Sequence, residues 1–179
     1  MRKPLRTTKF GRSFLALLGV FAFVTATASW TAWAVGPAVR SEGGKYFDKD
    51  DLPTFNIDKD GTVDWYTYSG FRRYHSECHV CHGPDGEGSS YAPGLRESMS
   101  SLSYKKFFEV VVNGREVIRA DKQSKMPALG ENRNVMCYLD DIYVYLRARA
   151  EGGLPRGRPG KKQPKSDQAR EDEDACVAD

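Results

Sequence analysis

Read for period, the second half of the chain divides into helices. Between 134 and 149, Val135, Tyr138, Leu139, Ile142, Tyr145 and Leu146 recur at spacings of three and four, the stripe of a buried helix. From 104 to 113, Phe107, Phe108, Val110, Val111 and Val112 form one apolar side, and Gly114 stands where a helix would end. Gly70, Tyr74 and Cys78 lie four apart. A helix over 70–81 carries all three on one face, and the small Gly70 admits close approach of another helix. Polar, glycine- and proline-rich stretches over 83–95 and 114–132 read as loops, the second holding Lys125-Met126-Pro127-Ala128-Leu129-Gly130. Asn56 to Asp64 has the Asx and Gly content of a tight turn between short extended segments, a hairpin. The same oxygens at alternate positions, with Gly at the sixth, make a partial calcium loop, but Thr67 stands where its bidentate Glu belongs. Trp65, Tyr66 and Tyr68 then read as packing residues with donors to spare.

The ends of the chain differ from this middle. Arg2, Lys3, Arg6, Lys9 and Arg12 precede an apolar run over 14–26, and Ala32-Trp33-Ala34 is an A-x-A site. Residues 1–34 read as a secretory signal peptide, with Ala26-Thr27-Ala28 as a second cleavage site and no Arg-Arg pair. The expected address is the periplasm, with no stable membrane insertion after cleavage. The full chain of 179 residues has a net charge of +3, but residues 35–179 hold 22 Lys+Arg against 24 Asp+Glu, a net of −2. The exported protein is therefore not basic, and no nucleic-acid partner is expected. Gly, Pro, Lys and Arg dominate 151–165, which reads as a mobile linker, and Ser166 is placed to cap a short acidic helix running to Cys176.

The chemistry sits in Cys78-His79-Val80-Cys81-His82, the C-x-x-C-H attachment signature of a c-type haem. Two thiols one helical turn apart add across the two porphyrin vinyl groups, and the adjacent His82 offers an imidazole to the iron. A thioredoxin-like pair would follow an apolar strand, whereas Phe71 to Glu77 is polar and helical in character; a zinc site would need a second ligand pair, which is missing. Cys137 and Cys176 are left over, and an oxidising compartment lets them pair. For the sixth ligand, His75 and His79 share a helix with the proximal side. Met136 lies within the third helix, and Met99 lies in a Ser-rich loop close to the motif. Met126, 44 residues after His82 and before Pro127, is assigned as the axial thioether. The outcome is an all-α haem domain over 70–150 with an N-terminal extension over 35–69 and a linker and acidic tail over 151–179.

As a set these residues resemble class I cytochrome c. Gly70, Tyr74 and Cys78 match that family's first helix, Ile142 and Tyr145 its C-terminal helix, and Met126-Pro127 its bacterial axial-methionine loop. The resemblance implies that the Pro93 carbonyl accepts the proximal histidine N–H. It implies one covalent haem c and electron transfer rather than catalysis. Residues 65–75, the motif with Gly83-Pro84-Asp85-Gly86, the third helix with Cys137 and the late Cys176 are similar to the methanol-metabolism-related cytochromes c. That narrower likeness implies a PQQ-dependent alcohol dehydrogenase as donor and a terminal oxidase or another cytochrome as acceptor. The expected contact patch is Ala92, Ala128 and Leu129, rimmed by Lys105, Lys106, Lys122 and Lys125. The alternatives are a haem enzyme, a gas-sensing module with a displaceable Met126, and a carrier fed by a cytochrome bc1 complex.

Overall fold

The core is a crossing of two helices, α1 (Trp65–Glu77) and α6 (Leu139–Ala150), seen in a computed structural model that describes residues 38–118 and 123–178. The signal peptide over 1–34, with both cleavage sites, and Lys122 of the expected contact rim lie outside the described residues. A Cβ on Gly70 would stand 1.8 Å from the Asp141 carbonyl oxygen and 2.8 Å from Tyr145 Cβ, so no other residue permits this crossing. Tyr74, Ile142, Tyr145 and Leu146, all within 2% of complete burial, fill it. Along the chain follow α2 (His79–His82), a single 3-10 turn (Pro84–Gly86), α3 (Leu95–Ser98), α4 (Tyr104–Asn113) and α5 (Arg133–Met136). Helix α4 packs Phe107 and Tyr104 against Tyr143 of α6 and closes the core.

Helix α4 has the bounds its apolar side predicts; the others depart from the sequence reading for identifiable reasons. Helix α1 begins five residues before Gly70 because Asp64 caps it. One carboxylate oxygen accepts Thr67 N–H at 2.8 Å, and the other accepts Asn56 N–H at 2.8 Å and Thr67 Oγ1–H at 2.6 Å. Trp65, Tyr66 and Tyr68 are therefore helical, and a boundary at 69/70 cuts through an element. Those bonds also occupy Asp64, while Asp60 accepts Thr62 N–H and Lys161 Nζ–H, so the carboxylates of the partial calcium loop are engaged within the protein. The turn itself forms, with Ile57 bridged to Val63. The third predicted helix is broken between α5 and α6, where Tyr138 adopts φ −131° and ψ 19° and lays its ring 3.6 Å from the Arg73 guanidinium carbon. The three-and-four spacing continues across the kink, so period alone does not reveal it.

Small sheets are added to the helical frame. Strands β1 (Arg40–Glu42), β2 (Lys45–Phe47) and β3 (Pro53–Thr54) form an antiparallel meander. Asp48, just after β2, accepts Arg147 NH1 of α6 at 2.8 Å. In the second loop β4 (Arg115–Ile118) pairs with β5 (Gln123–Met126), placing Glu116 opposite Lys125. Its residues are too polar to show an alternating pattern.

The stretch read as a mobile linker is laid on the helices. Leu154 is buried, Val63 exchanges backbone bonds with the 161–163 segment, Arg158 donates to the Tyr68 hydroxyl, and the Lys162 ammonium lies 5.0 Å from the Trp65 ring. Composition suggests a linker because Gly, Pro and Lys are common in them; here the cations have aromatic rings to rest on. Ser166 then caps α7 (Asp167–Ala178), accepting Ala169 N–H at 3.1 Å. A Cys137–Cys176 disulfide, with Cα atoms 5.7 Å apart, ties α7 back to the α5–α6 kink.

Candidate functional site

Helix α1 ends at Cys78, whose N–H bonds to Tyr74 O, and a new turn starts there, with Cys81 and His82 N–H groups both reaching Cys78 O. That change of direction leaves Cys78 half-buried and Cys81 exposed, both as free thiols, with Val80 between them 71% exposed. Burial, reinforced by Glu77 and Cys81, pushes the Cys78 thiol up to about 12. It is a neutral sulfur in an apolar setting, the environment of a thioether.

His82 is buried, and its Nδ1 lies 2.9 Å from the Pro93 carbonyl oxygen. A carbonyl only accepts, so Nδ1 carries the hydrogen and Nε2 keeps its lone pair for a metal. The loop between them is closed onto its own carbonyls. Gly88 N–H donates to His82 O at 2.7 Å, Tyr74 O–H donates to Gly83 O at 2.6 Å, and Gly83, at φ +72°, has no room for a side chain, its Cβ falling 2.1 Å from Gly88 O. Burial pushes the Tyr74 phenol up, keeping it a neutral donor. Two thiols on one turn, an anchored imidazole with Nε2 uncommitted, and an uncovered valine between the thiols suit a covalently bound porphyrin.

Met126 lies at the end of β5, half-buried and packed against the core cluster. Its strap is held by backbone. Gly114 (φ +73°) sits where a Cβ would be 2.6 Å from Met126 O, and Leu129 and Gly130 N–H groups donate to Val111 O and Val112 O. Of the expected patch, Ala128 is exposed and Ala92 and Leu129 are half-buried; Lys105, Lys106 and Lys125 are exposed, with Lys106 paired to Glu109. Met99 is buried in the core cluster at the end of α3, and Met136 lies partly buried in α5.

Sequence reasoning missed the brace under this loop. Arg149, 4% exposed, donates to Asp85 O at 3.2 Å, to Leu154 O, and to Glu87 Oε1 at 2.8 Å. Asp85, itself buried at φ 59°, accepts Gly157 N–H at 3.1 Å. The available signal was a charge on an apolar stripe: Arg149 falls three residues after Leu146.

Similarity to known proteins agrees with these features. No family model matches the chain. It is 51% identical over 137 residues to cytochrome c-553I of Paracoccus denitrificans, covering 76% of this chain and 61% of that protein, so the match spans under two thirds of the relative's length. It is 39% identical over 102 residues to cytochrome c-555 of Methylococcus capsulatus, covering 56% of this chain and 76% of that one. The crystal structure of the c-type cytochrome XoxG from Methylobacterium extorquens AM1 matches with a TM-score of 0.72 and 55% identity, covering 78% of this chain and 85% of that one.

Proposed function

The chain belongs to the class I c-type cytochromes, and on that premise we propose that it takes electrons from a PQQ-dependent alcohol (methanol) dehydrogenase and passes them towards a terminal oxidase, in the periplasm. It is a monohaem electron carrier, not an enzyme. The haem c supplies a one-electron iron couple; the chain supplies ligation, burial and a docking face. Cys78 and Cys81 would tether the haem through thioethers, and His82 Nε2, oriented by the Pro93 carbonyl, would ligate its iron. Met126 would offer a thioether, which favours ferrous iron and raises the potential relative to a nitrogen ligand. The layout is a signal over 1–34, an N-terminal extension, a haem domain that opens with α1 and runs to 150, and a tail that braces it.

The observation that carries the carrier role is the committed imidazole: Nδ1 engaged at 2.9 Å with the Pro93 carbonyl and Nε2 left free, beside two unpaired thiols. The donor rests on the likeness of 65–75 and the third helix to the methanol-metabolism-related cytochromes, together with the match to XoxG. Among the described residues no helix is long and apolar enough to cross a membrane. The test is stopped-flow reduction of the ferric holoprotein by a purified PQQ-dependent dehydrogenase supplied with alcohol. Rapid bimolecular reduction, moderately slowed by salt, is expected. Equal reduction of an unrelated cytochrome c, or none of this one, removes the donor and leaves the carrier.

A further inference from the structure

Three residues past the proximal imidazole, Asp85 is where four segments meet. Its carboxylate accepts Gly157 N–H of the tail, accepts the Tyr145 hydroxyl of α6 at 3.4 Å, lies 3.5 Å from Arg156 Nε, and faces His75 Nε2 of α1 at 3.6 Å. The hydrogen on His75 decides what that last contact is. His75 Nδ1 lies 2.8 Å from the Phe71 carbonyl oxygen, which can only accept, so Nδ1 carries a hydrogen. In the neutral ring Nε2 is then a bare lone pair pointed at a carboxylate. The imidazolium alone, with hydrogens on both nitrogens, is attracted to both neighbours.

We propose that His75 and Asp85 form a proton-gated positioning pair for the loop that carries His82. With His75 protonated, α1 and the loop are drawn together; without the proton, two acceptors face each other and the Asp85 carboxylate loses one of its four partners. The effect reaches His82 through short covalent and hydrogen-bonded steps, because the loop closes on the His82 carbonyl through Gly88 and on the Gly83 carbonyl through Tyr74. His79 stacks on His75 at 5.7 Å with its Nδ1 buried and unpartnered among the described residues. The Tyr74 and Tyr145 rings flank it at 5.2 and 6.0 Å. Arg156 is 66% exposed, so solvent screens its hold on Asp85. Arg149 binds the Asp85 carbonyl rather than its carboxylate. By reciprocity, an electron on the iron and a proton on His75 favour each other by the same factor.

The inference rests on His82 being the proximal ligand, and the experiment separates the two: loss of His82 ligation would alter the low-spin spectrum at every pH, whereas the pair predicts a step. Nitrogen-15 NMR of the wild-type holoprotein follows the His75 ring in both oxidation states, and spectroelectrochemistry follows the potential of wild type, His75→Gln and Asp85→Asn. As pH is lowered across the range in which the fold stays intact, the ring should gain a second N–H, at higher pH in the ferrous protein. The potential should fall as pH rises through that range. His75→Gln, which keeps a donor but cannot titrate, should be flat, and Asp85→Asn, whose side chain tolerates positive φ, should move the step to lower pH. A ring that keeps a single N–H throughout, or an undiminished step in His75→Gln, overturns the proposal; the NMR measurement needs no variant to fold.

Discussion

The proximal and distal sides of this site are held by opposite means. Beneath His82 the chain uses buried side chains from distant segments: Tyr74 from α1, Arg149 from α6, and Asp85 tied to the tail at Gly157. On the Met126 side it relies chiefly on backbone, a four-pair hairpin crossed by one exposed side-chain bond from Gln123 to Glu116 and two N–H bonds to the end of α4, with exposed Pro127 and Ala128 directly after β5. Side-chain bracing fixes an atom's position; a backbone strap fixes the path of the chain and leaves its side chain freer. If His82 and Met126 are the ligands, as proposed above, the first is set by the fold and the second by local turn geometry.

The comparison breaks most completely at Gly70. Gly70→Val drives a side chain into the Asp141 carbonyl, where backbone must move, at a cost of about 3 kcal/mol or more. Denaturant titration, or failure of holoprotein to accumulate, reads it. Removing the disulfide with Cys137→Ser and Cys176→Ser opens a 39-residue closure worth up to about 4 kcal/mol by chain entropy, less any strain it relieves. The loss should fall on the proximal brace, as faster hydrogen exchange at Gly157, with the Met126 strap unchanged. A smaller effect is expected from Gly114→Ala, which combines a positive φ with a 2.6 Å clash at Met126 O and costs about 1–3 kcal/mol. It should weaken the far-red thioether–iron band and admit carbon monoxide while the haem stays attached; Met126→Ala should abolish the band. An unaltered band in Met126→Ala assigns the ligand elsewhere.

A pH-dependent effect concerns Asp141, at the start of α6. Burial pushes its carboxyl up to about 8, against the partial relief of the Ser69 hydroxyl and Lys45. The native state then binds more protons than the unfolded one between the ordinary carboxylate range and about pH 8, so stability falls as pH rises through that window. Asp141→Asn should flatten that fall, leaving the share of Asp64, also raised by burial. Thermal melts of both proteins from about pH 5 to 9 check the sign.

What could be read from residues follows the range of the interaction. Cys78, Cys81 and His82 are contiguous, so a local pattern finds them, and α4 is found because Phe107 and Val111 keep helical spacing up to Gly114. Pro93 enters only through resemblance, since a backbone carbonyl acceptor leaves no mark on its own side chain. Asp64 as a cap was hidden by its place in a turn-rich run. The tail was misread because Arg158 and Lys162 look solvated until Tyr68 and Trp65, about 90 residues earlier, are brought beside them. The hairpin of the distal strap was missed because Gln123, Ser124 and Lys125 carry no apolar alternation.

The tail brace also sets an order of events in biogenesis. Gly157 follows Asp85 by 72 residues, so a chain made N-terminus first presents both thiols before the residue that clamps their loop exists. Until Gly157 has followed, the turn that carries Cys78 and Cys81 lacks this clamp, so the thiols are presented before their loop is fastened.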